Sequence, residues 1–229
     1  MQQKKSKWVK RLLIGLTVAF VALFLVLPLL FVLTQAFSRG LGVYWQAISE
    51  PYARQALALT LVTVLAAVSV NTIFGLFAAW CLTRYRFFGY KILNTCIDLP
   101  LSVSPVIAGL VFLLTFGRFS PIYSLLTAAG IRVVYAIPGI LLATIFVTLP
   151  YISREIIPVL DARGTDEEEA AALMGAGGFT IFRKITFPHI KWAFLYGIVL
   201  CTARALGEFG AVSVLSGRLR GRTLTLPLY

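Results

Sequence analysis

Long uninterrupted apolar runs dominate the chain. Five of them reach or approach the roughly 20 residues that a helix needs to cross the hydrocarbon of a bilayer: Leu12–Phe37, Leu57–Thr83, Ile92–Phe116, Tyr135–Ile152 and Ala193–Leu215. Continuous apolarity predicts helices, because the strands of a membrane barrel would alternate between lipid and lumen. The first run follows "MQQKKSKWVKR". A signal peptide would have a shorter apolar core and a small-residue cleavage site after it, so this run is read as a retained first span. "PIYSLLTAAGIRVVYA", Pro121–Ala136, is too short and interrupted to cross, and predicts a surface or re-entrant helix. The expected architecture is an all-α integral membrane bundle, with residues 1–229 forming one transmembrane domain. Five spans would leave the final "TLTLPLY" outside, so a sixth span is expected beyond it in a C-terminally longer protein.

Composition agrees with the pattern. The chain has 229 residues, is 59% hydrophobic and only 13% charged, and this excludes a soluble domain of that length. The net charge of +12 fits basic loops facing anionic lipid and the cytoplasm. With the N-terminus inside, the inner segments hold 13 Lys and Arg and the outer segments hold 7, with Arg204 inside a span. That bias orients the chain with its N-terminus in the cytoplasm. Arg218, Arg220 and Arg222 fall outside, against the trend. The three cysteines, Cys81, Cys96 and Cys201, form no CxxC, and His189 is the lone histidine. There is no metal or nucleophile–base constellation and no GxxxxGK[ST], so neither an enzyme nor an ATP-binding P-loop is expected on this chain.

The longest inner segment, residues 153–192, contains "EEAAALMGAGGFTIFRKITFP" (Glu168–Pro188). Thr165 and Glu168 have the spacing of a capping box, and acids in the first turn suit the helix dipole. Gly175, Gly177 and Gly178 end or bend that helix. A second short helix, Phe179–Phe187, is expected to stop at Pro188. The pair presents Leu173, Met174, Phe179, Phe182 and Ile185 to a partner, or else folds back on its own spans.

The spacing Glu169-Ala170-Ala171, three residues, Gly175, nine residues, Ile185, one residue, Phe187-Pro188 resembles the EAA loop of ABC importer permeases, with Phe187 in place of the family's leucine. The resemblance implies a type I permease-like helical bundle. It also implies that this loop docks on a separate ATPase, which holds the ATP and Mg. "IDLPLSVSPVIAGLVFLLTFG", "IPGILLATIFVTLPYISREIIPVL" and "LCTARALGEFGAVSVLSGRLRGRTLTLPLY" are similar to the sulfate/thiosulfate permeases, W-type above all. Molybdate permeases share "RALGEFGA" and "TLPL", which keeps molybdate or tungstate as the alternative. The implied partners are a T-type permease forming a heterodimer with this chain, an ATPase dimer and a periplasmic sulfate- or thiosulfate-binding protein. A secondary anion transporter would need inverted repeats, and no paired halves are visible.

Residue chemistry offers an anion path. Arg204 and Glu208 are four apart in the fifth run and would share a helix face. Charges there face a cavity, a partner or each other. The functional reading places Arg204 by an oxyanion path with Glu208 setting its position; the structural reading is a buried pair that orients the helix. Ser102 and Ser104 flank prolines, and either donate to an anion or re-satisfy a bent helix. Asp98 is expected to pair with a basic group, and Asn71 to bond between helices. Gly207, Gly210 and Ala211 are expected to permit close helix packing. Arg218, Arg220 and Arg222 either meet anions or the binding protein, or lie against lipid headgroups.

In a cysteine-free background, single cysteines at Ser6 and Ala176 should label only from the cytoplasmic side and one at Gly221 only from the periplasmic side. Labelling at Ala176 from outside intact cells would reverse the topology.

Overall fold

The computed structural model describes residues 2–229, with side chains from Lys7 onward. Lys4 and Lys5, counted in the charge bias, and Ser6 have side chains outside the described set. The chain divides into two compact units, 1–53 and 54–229.

In the first unit, α1 (Gln2–Val21), a π-turn (Ala22–Val26) and α2 (Leu27–Phe37) run end to end. Lys7–Phe37 is long and apolar enough to cross a membrane. Gly40 then turns the chain into α3 (Leu41–Ser49), whose Tyr44 ring lies 4.8 Å from that of Phe37.

The second unit is built on α4 (Pro51–Arg84), an unbroken helix of 34 residues. The third apolar run, expected to be one span, is not one continuous helix. It is two helices, α5 (Tyr90–Ser102) and α6 (Pro105–Phe116), bent by 112°. Val103 and Ser104 are extended between them. Pro105 explains the break: it disfavours helical backbone at Ser104 and opens α6 without needing an N–H partner. The surface helix expected after it is α7 (Pro121–Ala128). The fourth span, Ile137–Arg163, comprises α8 (Ile137–Thr148) and α9 (Pro150–Arg163) and carries on well past Ile152.

The short helices α10 (Asp166–Leu173) and α11 (Gly178–Ile181) follow. Pro188 does not stop the second of them. A π-turn, Phe182–Thr186, joins α11 to α12 (Phe187–Leu206), which starts six residues before the expected fifth span. The first span uses the same device, a π-turn followed by Pro28 one residue into the next helix. A helical proline clashes with the carbonyl four residues earlier, and the wider π-turn relieves that crowding. After Leu206 the helix breaks, and α13 (Gly210–Leu215) follows.

The core of the second unit lies around Ile152, which is fully buried with Ala79, Ile156, Leu160, Ile190 and Cys201. Two glycines let α4 and α12 close on it. A Cβ on Gly75 would lie 2.9 Å from the Ile152 Cβ, and one on Gly197 would lie 3.0 Å from the Ile152 Cα. Such close backbone approach is how membrane helices gain dispersion contacts where the hydrophobic effect gives little. Asn71 bonds between helices as expected, donating to the Ile145 carbonyl at 3.1 Å and to Thr148 Oγ1 at 2.8 Å.

Gly75→Val should destabilise the solubilised subunit by about 1–3 kcal/mol through overpacking against Ile152. Gly15→Val, whose Cβ meets nothing within 4 Å, should be near neutral. Thermal unfolding in detergent measures both; equal Tm values would refute tight packing at Ile152.

Candidate functional site

The loop between the fourth and fifth spans presents one apolar knob. Leu173, Met174 and Phe179 are 90%, 82% and 75% exposed. Phe182 and Ile185, expected beside them, turn inward instead. The Phe182 ring lies 5.4 Å from that of Trp80 and 6.1 Å from that of Phe187. Phe187 also meets Phe194 at 5.9 Å. The aromatic stack at the foot of α4 and α12 draws these side chains in. Ile185 and Phe187 therefore shape the loop from beneath, while Glu169, Ala170, Gly175 and Pro188 are at its surface and Ala171 is buried.

The end of α10 is a Schellman motif. The Ala176 N–H donates to the Ala171 carbonyl at 3.0 Å and the Gly175 N–H to the Ala172 carbonyl at 2.9 Å. Gly175 has φ +83°, which a residue with a Cβ adopts only under strain.

The capping box does not form. Thr165 Oγ1 instead donates to Glu169 Oε1 at 2.6 Å. Glu168 is claimed by stronger partners. Arg84 Nη2 donates to its Oε1 at 3.0 Å, Arg84 Nε lies 2.9 Å from its Oε2, and Thr186 Oγ1 donates to Oε1 at 2.8 Å. The Nε contact is an ion pair by distance, but its N–H does not aim at an acceptor. Three successive glutamates thus fan apart: Glu167 reaches His189 at 3.4 Å, Glu168 goes to Arg84 and Thr186, and Glu169 stays outside.

A second cluster surrounds the two helix breaks. A Cβ on Gly210 would lie 2.8 Å from that of Pro105, and one on Gly109 would lie 2.7 Å from the Ala211 carbonyl oxygen. The break before α6 and the break before α13 therefore abut. Gly210 and Ala211 permit the close packing expected of them. Gly207 does not, because its nearest neighbours are carbonyls of its own helix at 3.7 Å and beyond.

Arg204 and Glu208 pair at 2.7 Å, but not on one helix face as expected, since α12 ends at Leu206. Glu208 has only 2% of its side chain exposed, and its Oε1 accepts the Ala211 N–H at 2.8 Å, capping α13. Arg204 keeps 27% exposure. Ser102 and Ser104 lie exposed at the break, and among the described residues neither hydroxyl is hydrogen-bonded within the chain.

Asp98 pairs with Arg154 through two nitrogens of its guanidinium, and Arg154 also donates to Asn94 Oδ1 at 3.0 Å. This removes Asp98 as a free charge. Arg218, Arg220 and Arg222 are exposed in the turn before the last buried segment, Thr223–Thr225. Among the described residues no group of three or more metal-ligating side chains occurs.

The bundle thus combines a helix pair broken by a 112° bend with a short helix pair between its last two spans. Residues 71–227 match the family described as binding-protein-dependent transport system inner membrane component. The chain belongs to that family of ABC importer permeases. It is similar to the sulfate transport system permease protein CysW of Escherichia coli K12, with 47% identity over 221 residues, 96% of this chain and 76% of that protein. It is also similar to CysT of Salmonella typhimurium, with 35% identity over 210 residues, 92% of this chain and 76% of that protein. A solved bacterial ABC transporter involved in alginate import superposes with a TM-score of 0.78 at 18% identity, over 93% of this chain and 79% of that one, and this likeness shows the fold.

The Arg204–Glu208 pair yields a stability test. Arg204→Met leaves a buried carboxylate without its counter-charge and should cost about 3–5 kcal/mol. Adding Glu208→Gln should return most of that loss, because the amide oxygen still caps α13. Additive losses in the thermal unfolding of the single and double variants would show that the two residues do not interact.

Proposed function

We propose that this chain is the membrane subunit through which sulfate or thiosulfate enters a bacterial cell across the inner membrane. The 47% identity to a sulfate permease over 96% of the chain carries this reading. No observation in the chain favours molybdate or tungstate. Competition among the oxyanions for uptake by the assembled transporter separates them. Full inhibition by molybdate with none by thiosulfate would overturn the assignment.

In the proposed machine this chain stands N-terminus inward and pairs with a T-type permease. A periplasmic binding protein delivers the anion, and an ATPase dimer holds ATP and Mg. Glu169, Ala170, Ala171, Gly175, Ile185, Phe187 and Pro188 form the coupling loop, with residues 153–192 as its frame. The exposed Leu173, Met174 and Phe179 suit a groove on the ATPase. The anion passes near Arg204, which retains exposure, with Glu208 as its anchor. Ser102 and Ser104, at the abutting breaks, supply hydroxyl donors there. Interrupted helices near a transport path leave backbone groups free for a ligand. Arg218, Arg220 and Arg222 gather anions or meet the binding protein on the outer face.

Gly175→Asp should leave the subunit inserted and paired, yet ATPase attachment or coupled uptake should fail, because aspartate at φ +83° strains the end of α10. Glu169→Ala should be milder. Pull-down of the ATPase with uptake measured in parallel checks both, and normal attachment with normal uptake in Gly175→Asp would remove the loop's proposed role. Transport by Arg204→Met/Glu208→Gln decides the role of Arg204: restored uptake makes the pair purely structural.

A further inference from the structure

The short helix α10 is held to the rest of the chain at few points. A glycine with positive φ lies beyond each end, Gly164 at +70° and Gly175 at +83°. Its one buried residue is Ala171. Its mean hydropathy gives it no apolar face with which to grip the bundle, since four of its eight residues are acidic. Left to these features, α10 would swing between its two glycines when pushed, and a push would be absorbed there.

Two side chains of α10 oppose this: Glu167 reaches His189 at 3.4 Å, and Glu168 makes the better-shielded bond. Its carboxylate accepts from Arg84 and from Thr186, with both oxygens within 3.0 Å of the guanidinium. The ion pair is well shielded, with side-chain exposures of 9% for Arg84 and 18% for Glu168. Arg84 is the last residue of α4, where a cation complements the helix dipole. Its remaining arm reaches the Leu160 carbonyl near the end of α9 at 3.4 Å. The Nη2–Oε1 hydrogen bond and the close Nε–Oε2 contact hold the carboxylate at two points, where an ammonium would offer a single point charge.

The far end of α4 reaches the other cluster. Thr60 Oγ1, between two and three turns into the helix, accepts the Leu226 N–H at 2.8 Å. Thr63 lines a small cavity with Glu208 and Thr225. A helix of 34 residues spans about 50 Å, so α4 gives the loop a second route to the neighbourhood of Glu208, beside α12, which runs there directly.

We propose that Arg84 and Glu168 are positioning residues that fasten the coupling loop to α4, so that displacement of α10 moves that helix as a rod and reaches the Glu208 region at its other end. The inference rests on the reading of this loop as the ATPase-docking element. It adds which bond carries the motion into the membrane and which helix receives it. The pair lies away from the exposed knob of Leu173, Met174 and Phe179, so it acts after docking.

The test uses the complete transporter in proteoliposomes, with its binding protein, ATPase and radiolabelled sulfate. Arg84→Gln should leave the ATPase attached and hydrolysing ATP, while sulfate carried per ATP falls about tenfold, within the 5–150-fold range of typical coupling effects. Arg84→Lys, which keeps the charge but loses the fork, should give an intermediate ratio, and Thr186→Val a smaller loss. Wild-type transport per ATP in Arg84→Gln overturns the proposal. Detachment of the ATPase in that variant also overturns it, since the pair would then shape the docking face. If Arg84→Gln does not assemble, Arg84→Lys and Thr186→Val carry the test, and unchanged ratios in both overturn the proposal. The loop reading itself stands or falls separately, on attachment and coupled uptake in Gly175→Asp.

Discussion

The second unit depends on the approach of three helices to one residue. Ile152 is fully buried, and hydrogen-only positions face it from α4 at Gly75 and from α12 at Gly197. In a bilayer the surrounding hydrocarbon is as apolar as any leucine, so association rests on close contact and on internal hydrogen bonds. The glycines provide the contact. Asn71, reaching Thr148 and the Ile145 carbonyl, provides a bond on the same helix as Gly75. The meeting of Arg84 and Glu168 at the loop end of the bundle requires α4, α9 and α12 to be this close.

The irregular backbone is concentrated where the chain can support it. The break before α6 and the break before α13 press against each other at Pro105 and Gly210, and Glu208 caps the second. Non-helical backbone at membrane depth is tolerated when protein covers it or when it borders a path for a solute. Pairing two breaks satisfies the first condition and is suited to the second. Arg204 fits the same logic. Its charge is balanced by a buried partner while part of its side chain stays accessible.

Much of this was legible in the residues. Apolar run length located the crossing helices, and gapped spacing located the loop between the last two. Asn71 and Asp98 found the kinds of partner their chemistry demanded, interhelical for one and cationic for the other. The misses share a cause. The capping box at Thr165 and Glu168 is a local rule, and it was overridden by Arg84, which is 84 residues away along the chain. Phe182 and Ile185 were read as outward from local amphipathicity, but the Trp80 ring draws in the face they belong to. The third run looked continuous because hydropathy does not register the extended pair Val103–Ser104; Pro105 was the available signal. Gly75 and Gly197 carried no sequence signal beyond being glycines inside spans.

The π-turn at Phe182–Thr186 gives the loop's spacing a geometric meaning. A π-turn takes in one residue more than an α-turn, and one residue is about 100° of helical phase. The π-turn begins within the nine positions between Gly175 and Ile185 and ends one residue past Ile185. Loss of one position there would allow a regular helix and would leave the chemistry of every side chain unchanged. It would also rotate everything upstream, from the outward knob to Glu168, away from the axis of α12. The interval between the glycine and the isoleucine therefore works as an angular gauge, setting the direction in which the loop faces as much as its length.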